Sequence, residues 1–82
     1  MLTDYELLTS FVRKRSQDAF RELVDRHLKL VYAAALRQVR DPGLAEDIAQ
    51  GVFLVLAQKA PLLCRRGTVL SAWLLTVTQL KL

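Results

Sequence analysis

Asp41-Pro42-Gly43-Leu44-Ala45-Glu46-Asp47-Ile48-Ala49-Gln50-Gly51-Val52-Phe53-Leu54-Val55-Leu56-Ala57 is the stretch whose spacing decides the fold. Aspartate followed by proline and then by apolar residues every three or four positions is the start of a helix, with Asp41 as N-cap and Pro42 in the first turn. Wound at 3.6 residues per turn, Leu44, Ala45, Ile48, Val52, Val55 and Leu56 fall on one side, the predicted buried face. Glu46, Asp47, Gln50 and Leu54 fall on the other, with Gly51 at its edge. A solvent face of this length would ordinarily be laced with Lys and Glu. This one holds two carboxylates, an amide, a bare glycine and an exposed leucine. By pattern alone it is either a solvated face with stray apolar residues or a surface that a partner covers.

Upstream, Thr3 and Glu6 have capping-box spacing, which predicts a first helix from Asp4 to Lys14 that buries Leu7, Leu8, Phe11 and Val12. The cluster Arg13-Lys14-Arg15 at its end is explained by the helix dipole, which favours cations there. Ser16 caps a second helix from Gln17 to Val39. It carries Phe20, Leu23, Val24, Leu28, Val31, Tyr32, Ala35 and Leu36 at helical spacing and is about 35 Å long, enough to serve as the scaffold. The third helix is predicted to run to about Lys59. Pro61 should stop it and leave Leu62-Leu63-Cys64-Arg65-Arg66-Gly67 as a loop. Thr68 is the predicted cap of a fourth helix bearing Val69, Leu70, Trp73, Leu74 and Val77. Trp73 lies on the apolar face of that helix and is read as core. No strand pattern, repeat or low-complexity tract interrupts this series. The expected architecture is all-α, a compact bundle of about four helices forming one domain over residues 1–82.

Chain length limits what such a bundle can bury. At 82 residues, only about 60 to 65% of the unfolded surface can be removed from water, so the core must be economical. The abundance of Leu, Val and Ala suits helix packing. The longest uninterrupted apolar run, Leu30 to Leu36, is far short of the roughly 20 residues that span a bilayer, and Asp4 and Glu6 do not fit a secretory leader. The single cysteine excludes an internal disulfide and suits a reducing compartment, so a cytoplasmic location is expected, with no membrane partner. The formal charge of +4 is unevenly distributed. Every acidic residue lies at or before Asp47, and from Ile48 onward the only charges are Lys59, Arg65, Arg66 and Lys81. Such a division suits a chain with one part against a basic protein surface and another against phosphate; scattered solubilising cations would look the same.

The residues offer little for catalysis. His27 and Cys64 each stand alone, no glycine-rich phosphate loop occurs, and no His, Cys and carboxylate set has metal-binding spacing. No enzyme activity, metal or cofactor is expected. His27 reads as a helix residue bonded to a neighbour. Arg65 and Arg66 flank Cys64 and would favour its thiolate, but a lone cysteine is ordinarily inert.

Three blocks carry a resemblance when taken in order: Asp18-Ala19-Phe20-Arg21-Glu22-Leu23-Val24-Asp25-Arg26-His27, then Ala45-Glu46-Asp47-Ile48-Ala49-Gln50-Gly51-Val52-Phe53, then Ser71-Ala72-Trp73-Leu74-Leu75. Together they resemble region 2 of the extracytoplasmic-function class of bacterial RNA polymerase sigma factors, over about Asp4 to Val77. Gly51 departs from the pattern, which has a polar or acidic residue there.

The resemblance implies a transcription initiation domain that binds RNA polymerase core and recognises and melts the promoter minus-ten element. It places Glu46, Asp47 and Gln50 in the segment that grips the arginine-rich clamp helices of the largest polymerase subunit. Carboxylates accept guanidinium groups in two-pronged, charge-assisted pairs, and Gln50 adds a neutral hydrogen bond. Gly51 would permit close approach of the partner helix, and Leu54 would supply apolar area. The loop after the third helix corresponds to the region that captures the non-template promoter strand. Arg65 and Arg66 suit phosphates, Gly67 lets the chain bend, and Thr68 can donate to a base or sugar edge. Leu62, Leu63 and Cys64 would form the apolar shelf that an unstacked base requires. The segment Thr76-Val77-Thr78-Gln79-Leu80-Lys81-Leu82 lacks the arginines and asparagine expected there, and the helix-turn-helix domain of a complete factor is not in the sequence. An isolated region 2 domain is the expectation.

Two rival classes remain at the level of sequence. One is a helical protein-interaction module whose acidic face binds a regulator such as an anti-sigma factor, with no nucleic-acid role. The other is a small enzyme using His27 with Asp25 or Glu22. Self-association through the exposed apolar part of the acidic face also stays open.

Overall fold

Four helices in chain order make up the computed structural model, which describes residues 1–82: α1 (Asp4–Lys14), α2 (Gln17–Val39), α3 (Pro42–Arg66) and α4 (Leu70–Lys81). The predicted caps close the first three helices. Thr3 and Glu6 form the reciprocal capping box, Ser16 accepts from the Ala19 N–H, and one Asp41 carboxylate oxygen accepts from the N–H groups of Gly43 and Leu44. Each cap satisfies backbone donors that the first turn of a helix leaves open. The Thr3 bonds hold the Glu6 carboxyl below its usual value, the backbone N–H contributing most.

The core is a single cluster to which every helix contributes. Leu7 and Leu8 come from α1, Ala19, Leu23 and Val31 from α2, Val52, Phe53, Leu56, Ala60 and Leu63 from α3, and Leu70, Leu74 and Val77 from α4. Leu23, Val31, Val52, Leu56 and Leu74 are wholly buried. Burying each such side chain is worth about 1.5–3 kcal/mol, and this apolar burial holds the short chain together. The one buried polar side chain, Thr78, donates to the Leu74 carbonyl at 2.7 Å. Phe11 and Phe20 stack at 4.7 Å where α1 turns into α2, and Asp4 ties α1 back onto α2 by accepting from His27 Nε2 at 2.9 Å and Arg26 Nη1 at 3.3 Å.

Helix α3 departs most from expectation. It runs through Pro61 and ends at Gly67, whose φ of +64° is the left-handed geometry glycine adopts without strain. Pro61 removes one backbone hydrogen bond, but its ring is on the exposed side. Beyond it Leu63, 4% exposed, is drawn into the core, and Cys64 packs beside it. Helix continuation delivers those side chains to their neighbours, and this outweighs the proline penalty. On length and apolarity alone α3 could cross a membrane; its Ala45, Ala49, Val52, Phe53, Leu56 and Ala60 are instead buried against the other helices.

Other differences are local. Thr68 does not cap α4. That position falls to Val69, which offers no side-chain bond. Leu28 and Leu44, both expected inside, are 42% and 51% exposed.

Candidate functional site

Two candidate surfaces follow from this arrangement. The larger is a groove of about 680 Å³ between α2 and α3, with Phe20, Val24, Leu28 and Tyr32 on one wall and Ala49, Phe53, Leu54 and Ala57 on the other. Lys29 and Glu46 sit on opposite walls, and Gln50 joins Glu46 on the α3 side. The helical repeat explains the grouping, because residues 46, 50, 53, 54 and 57 share one stripe of α3, next to the stripe that enters the core. Three of the sequence-predicted contact residues, Glu46, Gln50 and Leu54, therefore come together beside an apolar trough. All three are exposed, Leu54 by 66%, and Glu46 makes no ion pair within the chain. An apolar trough with a carboxylate and an amide on one lip can take a helix whose apolar stripe enters the trough and whose cations reach the lip.

The remaining two predicted members of the acidic face lie elsewhere. Asp47 is exposed and unpaired but is not among the residues lining the groove. Gly51, half-buried, also lies outside the groove lining; a Cβ there would meet only the end of the Lys81 side chain, with Cε at 3.9 Å in ordinary van der Waals contact.

The α2 wall was missed as a site. Leu28 and Tyr32 fit the helical spacing of core residues, so periodicity assigned them inward. What could have found them was their number: α2 carries more apolar residues than three partner helices can cover.

The second surface is the turn joining α3 to α4. Arg65, Arg66, Gly67 and Thr68 are exposed, and neither arginine has an ion-pair partner. The apolar shelf expected beside them does not form as a unit. Leu63 is core, and Cys64 is half-buried with Sγ 3.9 Å from Thr9 Oγ1 of α1, so only Leu62 is open to solvent. Cys64 is a packing residue between α1 and α3, because helix continuation turns it inward. Beneath the turn lies a smaller cavity of about 200 Å³, lined by Asp4, Tyr5, Leu8, Leu63, Gly67, Thr68 and Leu70. Tyr5, 53% exposed, is therefore the open apolar surface beside Thr68, while Leu70 is core like Leu63. Trp73 is partly buried against the core.

The proposed pairing of His27 with Asp25 or Glu22 does not occur. His27 is bonded to Asp4, while Glu22 is 3.3 Å from Arg26 Nε, so both serve to join helices or brace a helix turn. No set of three or more His, Cys, Asp or Glu side chains is arranged to hold a metal ion.

Comparison with known proteins gives consistent matches. The family model described as Sigma-70 region 2 matches residues 23–81. Two relatives from Mycobacterium sp., strains KMS and JLS, each named ECF RNA polymerase sigma factor SigK, are 36% identical over 75 residues. The RNA polymerase sigma factor SigK of strain MCS has the same identity over the same length. Each match covers 92% of this chain and 39% of the relative, so the chain spans well under half the length of the proteins it resembles. No solved structure gives a significant match.

Proposed function

Because the chain belongs to the sigma-70 region 2 family, as a region 2 domain of the extracytoplasmic-function class, we propose that it seats RNA polymerase core on the α2–α3 groove and presents the α3–α4 turn to the promoter minus-ten element. The observation that carries this is the coincidence of Glu46, Gln50 and Leu54 with one wall of the apolar groove between α2 and α3. In this reading a clamp helix of the largest polymerase subunit lies in the trough. Its arginines pair with Glu46, with Asp47 just outside the groove adding longer-range attraction, and Gln50 donates or accepts a neutral hydrogen bond. Leu54 and the α2 residues Val24, Leu28 and Tyr32 cover the partner's apolar stripe.

The turn takes the opened non-template strand. Arg65 and Arg66 meet phosphates, Gly67 keeps the backbone near the strand, and Thr68 offers its hydroxyl at the mouth of the small cavity. The domain carries out no reaction of its own in this role; it holds the polymerase in register with a promoter, in the cytoplasm where the polymerase works. An anti-sigma regulator would compete for the same groove.

Substitution of Glu46 by arginine tests the polymerase contact. Glu46→Arg places a cation opposite an arginine-rich helix and should abolish binding to a clamp-helix fragment, with the helical circular-dichroism signal unchanged. Asp47→Arg should weaken binding less. Undiminished binding by Glu46→Arg would refute the groove as the docking site.

A further inference from the structure

Lys29 is the charged member of the α2–α3 groove that polymerase docking leaves unused. It is exposed on the α2 wall, opposite the α3 wall that carries Glu46, and neither side chain has an ion-pair partner within the chain. The trough between them is apolar, and two of its lining residues, Leu28 and Leu54, are 42% and 66% exposed. A trough with one charge of each sign on its two lips is self-complementary. A helix of uniform positive charge satisfies Glu46 and leaves Lys29 against a like charge, whereas a second copy of this chain satisfies both.

We propose that two copies of the chain pair through this groove. A two-fold axis that lies in the mouth of the groove, perpendicular to the line from Lys29 to Glu46 and bisecting it, sets Lys29 of each copy on the partner's Glu46. One rotation thus makes two equal ion pairs. The midpoint of that line falls in the trough, so the same rotation brings the two apolar troughs together and takes Leu28 and Leu54 of both copies out of water. Size sets the strength of this contact. The groove is lined by 11 residues, against roughly 20–30 a side in a stable interface, so the pairing is weak and depends on concentration. Such a dimer covers the polymerase surface until a clamp helix displaces one copy by mass action. The pairing itself does not require that polymerase docks in the groove.

The test is charge reversal, read by sedimentation equilibrium of the chain at low ionic strength and concentrations up to about 1 mM. The parent chain should shift from monomer toward dimer as its concentration rises. Lys29→Glu puts two carboxylates at each contact and Glu46→Lys puts two cations there, so each variant alone should dimerise about tenfold more weakly. Mixed in equal amounts, the two variants again oppose unlike charges at both contacts, and a heterodimer as tight as the parent dimer should form. Both positions are exposed, so thermal melts should be unchanged, and Leu54→Asp should weaken the pairing of every combination. A parent chain that stays monomeric at about 1 mM would overturn the proposal, as would a dimer indifferent to both reversals or reversals whose mixture fails to pair. Titration with a clamp-helix fragment separates this from polymerase docking, since Lys29→Glu removes a like charge and should bind the fragment at least as tightly as the parent does. A groove that takes the fragment but never a second copy overturns the pairing and leaves polymerase as its occupant. Pairing restored by mixing, with no binding of the fragment, supports the dimer and removes the polymerase contact.

Discussion

Leu54 and Leu56 stand two residues apart on one helix, and truncating each should have opposite consequences. Leu56 is 0% exposed at the centre of the core, so Leu56→Ala removes buried apolar surface and leaves a cavity. The expected loss is about 2–5 kcal/mol of stability. At about 4–8 °C per kcal/mol for a domain of this size, the melting temperature should fall by at least about 8 °C. Leu54 is 66% exposed, so its truncation costs the free protein little. Full burial of a leucine is worth about 1.5–3 kcal/mol, and docking can bury only the exposed two-thirds of this one. The expected loss on docking is therefore about 1–2 kcal/mol, a weakening of about 5- to 30-fold in Kd for a clamp-helix fragment. Thermal melts by circular dichroism and titration of the fragment at a temperature where both variants are folded read the two quantities separately. Leu54→Ala with unaltered affinity, or with a melting temperature as depressed as that of Leu56→Ala, would refute the assignment of Leu54 to the groove.

Two further outcomes follow from local geometry. Pro61 lies inside α3 on its exposed side, so Pro61→Ala restores an N–H to the helix and should raise stability by up to the ~3 kcal/mol that separates the two residues in a helix interior. A thermal melt showing no rise would mean that the helix around Pro61 is not continuous. Glu6 has a depressed pKa because Thr3 bonds its charged form, so its contribution to the α1 cap is present above the unfolded value of 4.5 and is lost as pH falls through the lower folded value. Glu6→Gln, which can still close the capping box, should therefore flatten that part of the acid-denaturation curve, and an unchanged curve would exclude this source.

Much of the fold was legible because it rests on short-range chemistry. The Thr3–Glu6 box, the Ser16 cap and the Asp41-Pro42 start are each specified within four residues, and the structure begins its helices there. The end of α3 was not legible, because its continuation through Pro61 depends on what Leu63 and Cys64 touch on other helices, and local propensity contains no information about those contacts. Thr68 is not the cap of α4 because that helix begins one residue later than expected, at Leu70 with Val69 in the cap position.

The candidate site divides similarly. That Glu46, Gln50 and Leu54 share a face follows from the helical repeat alone. Which side of that face opens into a trough depends on where α2 lies, so Leu28 was assigned inward although it is exposed, and its place with Tyr32 on the groove wall was not legible. The Asp4 pairing with Arg26 and His27 spans 22 and 23 residues and leaves no local mark in the sequence.

The most direct measurement is amide chemical-shift mapping of the isotopically labelled chain during titration with a clamp-helix fragment of RNA polymerase. Docking in the groove predicts shifts concentrated at Glu46, Gln50, Leu54 and Ala57 on α3 and at Val24, Leu28 and Tyr32 on α2, with Arg65–Thr68 and the α4 end unmoved. Shifts confined to α1 and α4, or a saturating titration that leaves both walls of the groove untouched, would contradict it.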